Sequence, residues 1–288
     1  MLESIVFASK LIAASDEAVK CLDALKPLGA ERVVLVHAVP PDATQEPDPG
    51  HEAAARAKLD AQCELVGSMG FETTAELRRG LPYQEILDAA RRHNGSAIVL
   101  YTTAEGGAGD LYRGAVAHEV LNKTTFPVLL LRVKTTAPEK YGEVLCPEIP
   151  GHLLFPTDFS ANAEQAIAYV EHIVASGCKK VTLMHVQDRA RISGHLEHRL
   201  EEFNATDRER LETIKARLQK AGEAEVRHEL FYGSPAQEIL REAEEGDYSL
   251  IVLGSQGRGY IPEVYLGSVS HKVVCYAPAP ILLIPAKR

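Results

Sequence analysis

Residues 251–274 read IVLGSQGRGYIPEVYLGSVSHKVV, and residues 98–121 read IVLYTTAEGGAGDLYRGAVAHEVL. Each stretch opens on a short apolar run suited to a buried strand and closes on a helix-like segment that keeps a histidine, His118 or His271. The frame occurs twice. Where the second copy has Gly254, Gly257, Gly267 and Ser268, however, the first has Tyr101, Ala104, Gly114 and Ala115. One unit is duplicated, and its glycine pattern is whole in only one copy.

Upstream of residue 251, HLLFPTDFS is an apolar strand ending in a turn at Pro156-Thr157-Asp158, after which Ser160 can cap a helix. Ala163, Ala166, Ile167, Val170, Ile173 and Val174 fall on one helical face, and Gly177 ends it. KVTLMHV (Lys180–Val186) reads as a second buried strand, and Leu200, Phe203, Leu211, Ile214 and Leu218 trace a helix stripe closed by Gly222. A third strand lies near VRHELFYG. The next helix is marked by Ser234 as cap, Pro235 at its first position, Gln237 three residues past the cap and Gly246 as stop. APILLIP is the last strand.

Apolar strands alternating with helices predict two tandem open parallel five-stranded sheets, an α/β fold with helices on both faces. The first half repeats the order through SIVFAS, RVVLVHAV, TAELRRGLPYQEIL, SAIVLY and FPVLLLRV. Matching residues include His37 with His185, Gly80 with Gly233, Pro82 with Pro235 and Pro127 with Pro280. The offset grows from 148 (His37 to His185) to 153 (Gly80 to Gly233), so the second half carries about five extra residues after its second strand, where a loop is expected. KTTAPEKYGEVLCPEIPG reads as a linker, which sets the units at residues 1–138 and 150–288.

Chemistry concentrates in the glycine loop. Glycines let backbone N–H groups approach an anion, and the helix opening at Gly267-Ser268 adds unpaired donors and a favourable dipole. Ser268 adds a hydroxyl, and Arg258 or Ser255 can reach further phosphate oxygens. If strands one and four are neighbours, Asp158 faces the same crevice, giving a carboxylate toward a nucleoside and N–H donors toward phosphates. The chain has no G-x-x-x-x-G-K-[ST], and no G-x-G-x-x-G follows the first strand of either half, so the P-loop and dinucleotide-binding readings lack their residues.

With PTDFS after strand one, HV ending strand two, G-x-P-x-x-x-I before helix three and G-x-x-G-x9-G-S at Gly254, Gly257, Gly267 and Ser268, the chain resembles the universal stress proteins in their tandem form. The resemblance implies ATP held by Gly254, Gly257, Gly267 and Ser268. It also implies Asp158 on the nucleoside, the backbone at Val186 on adenine, and Pro156, Leu253 and Val269 as walls. In the first half Tyr101 stands for Gly254, Ala104 for Gly257, Ala115 for Ser268 and Lys10 for Asp158, leaving Gly114. That half is therefore read as architectural or partner-binding, while Gly106, Gly107 and Gly109 are able to form a different loop. Writing Tyr at 254 and Lys at 158 is expected to abolish binding without unfolding the chain.

The remaining features narrow the class. The chain of 288 residues is 45% apolar with a formal charge of -9, and it has no apolar run of membrane-spanning length, so neither nucleic acid nor a membrane is an expected partner. The N-terminus lacks the parts of a secretory signal, which makes cytoplasm the expected address. Five widely spaced cysteines without a C-x-x-C pair read as free thiols. His195 and His198 lack a third ligand and read as a solvated loop, as do Arg189 and Arg191. A Mg2+ ion is expected on the nucleotide phosphates rather than in a protein cage. The two halves are expected to pair through their last strands, and homodimerisation is a further expectation. A slow ATPase or nucleotidyl-transferring enzyme using the same crevice is the alternative, although no nucleophile–base pair can be named, and a scaffold without nucleotide is the third reading.

Overall fold

The computed structural model describes residues 1–40, 49–104, 115–134, 144–146, 148, 151–194, 196–259 and 265–287. Gly106, Gly107, Gly109, Gly114 and His195 lie outside them. The chain divides into two units, Met1–Cys146 and Pro147–Arg288.

In the first unit the strands are β1 (Ser4–Ala8), β2 (Arg32–Val39), β3 (Glu72–Arg79), β4 (Ala97–Ala104) and β5 (Val128–Lys134). They run parallel in the order β3-β2-β1-β4-β5. A two-residue β6 (Val144–Leu145) is antiparallel to β5. The helices are α1 (Ala13–Lys20), continued by a 3-10 segment Cys21–Leu28, then α2 (Pro49–Ser68), α3 (Pro82–Arg92) and α4 (Ala115–Leu121). Pairing of α1 with α2 and of α3 with α4 covers the sheet on its two faces, so β1, β2, β4 and β5 have buried apolar centres, while the edge strand β3 (ETTAELRR) is largely polar and part-exposed.

The second unit holds β7 (His152–Pro156), β8 (Lys180–Asp188), β9 (Glu225–Gly233), β10 (Leu250–Gly254) and β11 (Ile281–Ile284), all parallel, in the order β9-β8-β7-β10-β11. Its helices are α5 (Ala161–Ala175), α6 (Arg189–Ile192), α7 (Leu200–Ala221), α8 (Pro235–Glu245) and α9 (Ser268–Tyr276). The expected stripe on α5 is buried from Ala163 to Val174, and Ser160 caps that helix by accepting from the Ala163 N–H at 3.2 Å. The chain builds outward from β7 through β8 to β9, then returns to the other side for β10 and β11. Strand order therefore reverses between β7 and β10, and the open crevice lies beyond Pro156 and Gly254, where those strands end.

Two local expectations are corrected. Ser234 makes no side-chain capping bond on α8. The Glu238 carboxylate folds back over Gly233 instead, so that a Cβ there would stand 2.6 Å from Glu238 Oε1; Gly80 and Glu85 repeat this at 2.5 Å. The cysteines are not all free, because Cys21 and Cys146 form a disulfide with Cα atoms 4.9 Å apart. β6 turns back against β5 and brings Cys146 to the 3-10 segment, a path that spacing along the sequence does not encode. Cys63, Cys178 and Cys275 are thiols.

Candidate nucleotide site

Beyond β7 the chain is bent by Phe159, a non-glycine residue at φ 58°. The bend is held by side chains of its own turn. The Phe159 N–H donates to Thr157 Oγ1 at 3.1 Å, and the Ser160 N–H donates to Asp158 Oδ1 at 3.0 Å. The other carboxylate oxygen, Asp158 Oδ2, accepts from the Arg258 N–H at 2.8 Å, while Arg258 Nε donates to the Asp158 carbonyl at 2.7 Å. The first turn of the unit is thereby tied to the loop after β10.

That tie explains Gly257. A Cβ there would lie 2.3 Å from Asp158 Oδ2, so only glycine lets the carboxylate reach the Arg258 N–H. At Gly254 a Cβ would meet Asn162 Oδ1 at 2.7 Å; this oxygen accepts from the Gln256 N–H at 2.8 Å, and Asn162 Nδ2 donates to the Ile284 carbonyl at 3.2 Å. Both glycines serve close approach rather than a left-handed backbone. Gly267 caps α9, its N–H donates to the Ser255 carbonyl at 2.7 Å, and Ser270 Oγ donates to the Gly254 carbonyl at 2.8 Å. The first turn of α9, whose leading N–H groups have no partner within the helix, thus sits beside the glycine loop.

These parts border one cleft of about 720 Å³. Pro156, Asp158, Val186, Leu253, Gly254, Gly257, Arg258, Gly267, Ser268 and Val269 all line it. Ser255 does not: its N–H donates to the Ile284 carbonyl and its Oγ accepts from the Ala286 N–H, which turns it toward β11. Arg191 lines the cleft and stands 3.5 Å from Asp188. Arg189 is absent from the lining. His198 is exposed, and among the described residues no group of three His, Cys, Asp or Glu side chains is placed to hold a metal ion.

Two cleft residues, Gln187 and Asp207, and Asn162, which binds the loop after β10, are not among the residues the sequence motifs single out. Asn162 occupies a buried position on α5, and Asp207 fills the gap in the α7 stripe between Phe203 and Leu211. Gln187 lies one residue past Val186 on β8, which runs on to Asp188. His185 Nδ1 donates to the Thr157 carbonyl at 2.7 Å and its Nε2 stands 3.6 Å from Asp207 Oδ2. Burial pushes the pKa of His185 below the usual imidazole value, although the Thr157 carbonyl and Asp207 act the other way. A polar residue inside an apolar stripe is the signal that could have found Asp207.

The model of the universal stress protein family matches residues 1–132 and again residues 151–285. The chain belongs to the universal stress protein family. It is a tandem member. The universal stress protein YxiE of Bacillus subtilis is 32% identical over 143 residues, 46% of this chain and 97% of that protein. Universal stress protein MJ0577 of Methanocaldococcus jannaschii is 29% identical over 154 residues, 47% of this chain and 94% of its own. A universal stress protein structure from Archaeoglobus fulgidus covers 98% of both chains with a TM-score of 0.75 at 21% identity, a likeness of fold.

At the position matching Gly254 the first universal stress unit carries a buried side chain. Tyr101, matching Gly254, is 2% exposed, stacks on Phe7 with centroids 6.0 Å apart, and places its hydroxyl 2.5 Å from Ser15 Oγ. The Lys10 N–H donates to the same hydroxyl at 3.2 Å. Burial raises the tyrosine to about 12 and lowers the Lys10 ammonium. Ala14 matches Asn162, so the first unit lacks the amide that a Cβ at Gly254 would meet in the second. Leu11, matching Phe159, keeps the left-handed bend at φ 55°.

Proposed function

We propose that the second unit binds ATP in the cleft beyond β7 and β10, and that the first unit serves architecture or partner contact. The observation that carries this reading is the meeting of Gly254, Gly257 and the start of α9 with Asp158 around one cleft, at distances no Cβ could share. Phosphates would lie against the loop N–H groups and α9, which supply positive dipole without a net charge. The nucleoside would extend past Asp158 toward Val186. Mg2+ would ride on the phosphates, because the described residues form no cage for it. The cleft presents backbone donors and binding groups, so the reading is retention of the nucleotide, with turnover well below the roughly 1 to 1,000 per second of ordinary enzymes.

Two measurements test it. Mass spectrometry of the small molecules released from the purified, denatured protein should find adenine nucleotide, and calorimetry should find one ATP site per chain. Two equivalent sites, or none, would remove the reading. Metal-dependent hydrolysis at ordinary enzymatic rates, lost in Asp158→Ala, would replace it with an ATPase.

A further inference from the structure

Gln187 is 3% exposed and borders the cleft. Its Nε2 donates to Asp207 Oδ2 at 2.9 Å. Because a carboxylate only accepts, this bond fixes which end of the amide faces α7 and turns Oε1 away from it. Gln187 Oε1 is buried and has no partner among the described residues. Such an orphan acceptor is costly, and it calls for a donor from whatever fills the cleft.

The sheet order says which part of a nucleotide can supply that donor. The phosphate cradle sits at β10 and α9, β7 comes next, and β8, which carries Gln187, lies beyond it. Strands are about 4.8 Å apart, so Gln187 stands roughly 10 Å across the sheet from the cradle, at the base end of a bound nucleotide. We propose that Gln187 is a specificity residue: its Oε1 accepts a hydrogen bond from the exocyclic amine of the purine and so selects 6-amino over 6-oxo bases. The inference rests on the nucleotide reading above. A 6-oxo purine would set an acceptor against an acceptor, leaving Oε1 unsatisfied in the bound state as well.

The test compares ATP with ITP, with purine riboside triphosphate, which lacks the amine and the oxo group, and with 2′-deoxy-ATP, using the full chain. The parent should prefer ATP over both altered bases by at least tenfold. In Gln187→Leu that preference should fall below threefold through loss of ATP affinity, with purine riboside triphosphate affinity held within threefold. An undiminished preference in the variant, or a parent preference near one, overturns the proposal. It is also overturned if the variant erases discrimination against 2′-deoxy-ATP instead, which would make a ribose hydroxyl the donor. Should Gln187→Leu fail to fold, Gln187→Met takes its place and the parent ratios still decide. A parent that binds none of the four triphosphates removes the nucleotide reading and this inference together, whereas tight binding without base preference removes only this one.

Discussion

A Cβ on Gly254 would stand 2.7 Å from Asn162 Oδ1, the oxygen that receives the Gln256 N–H. At the matching positions the first unit has Tyr101 and Ala14. Gly254→Tyr alone is therefore expected to be less well tolerated than the repeat implied. It should destabilise the second unit by about 1 to 3 kcal/mol through overpacking, and Asn162→Ala in the same chain should restore part of the thermal midpoint. Nucleotide affinity should fall at least tenfold in both. Calorimetry and thermal melts of the single and double variants check the pair; retained affinity in the folded double variant would move the site elsewhere.

Gly257→Ala is a smaller probe of the same loop. Its methyl group would displace the Asp158 carboxylate, which stands 2.3 Å from that position, and release the Arg258 N–H. Loss of that charge-assisted bond should cost about 1.5 to 3 kcal/mol of ordering around the ligand, read as a roughly tenfold or larger rise in the ATP dissociation constant.

Acid should weaken the first unit at Glu76. Burial raises this carboxyl, but hydrogen bonds from His93, Arg78 and Arg92 outweigh it and hold the pKa at about 2, against an ordinary 4.5. A depressed carboxylate stabilises above its unfolded value, and the contribution is lost as pH falls from about 4.5 toward 2. Its partners are 40% and 37% exposed at Arg78 and Arg92, so screening cuts the contribution to about 1 to 2 kcal/mol. The difference in urea midpoint between parent and Glu76→Gln should be full near neutral pH and close to zero at about pH 2. A difference independent of pH would contradict this account.

Unreduced, denatured protein should titrate three thiols, Cys63, Cys178 and Cys275, and all five only after reduction. Reducing the Cys21–Cys146 bond should lower first-unit stability by about 2 to 4 kcal/mol. Five thiols without reductant would show that the pair is open in solution.

The alternating apolar strands and helix stripes made the fold legible in the sequence, because burial on both faces leaves a continuous apolar signature in the inner strands, though not in the polar edge strands β3 and β9. Most of the cleft was legible for a related reason: glycines and a helix start are local features. Asn162, Gln187 and Asp207 were not, since each matters through a partner on another element that no local pattern announces. Ser255 was misplaced because a residue beside a glycine loop faces either the ligand or the neighbouring strand, and only the β11 contacts decide. The disulfide depends on the return of β6, which is tertiary information.

The left-handed bend has a bearing on history. Leu11 and Phe159 hold it at φ 55° and 58° in copies that have otherwise parted at the crevice. Such a backbone is unfavourable for a side chain of that size, yet it persists where buried Tyr101 stands in place of Gly254. A trait kept by both copies is most simply inherited from their common ancestor, so the bend is older than the divergence of the glycine loop. It belongs to the way a strand hands over to its helix in this unit, and a change that empties the second crevice should leave it in place.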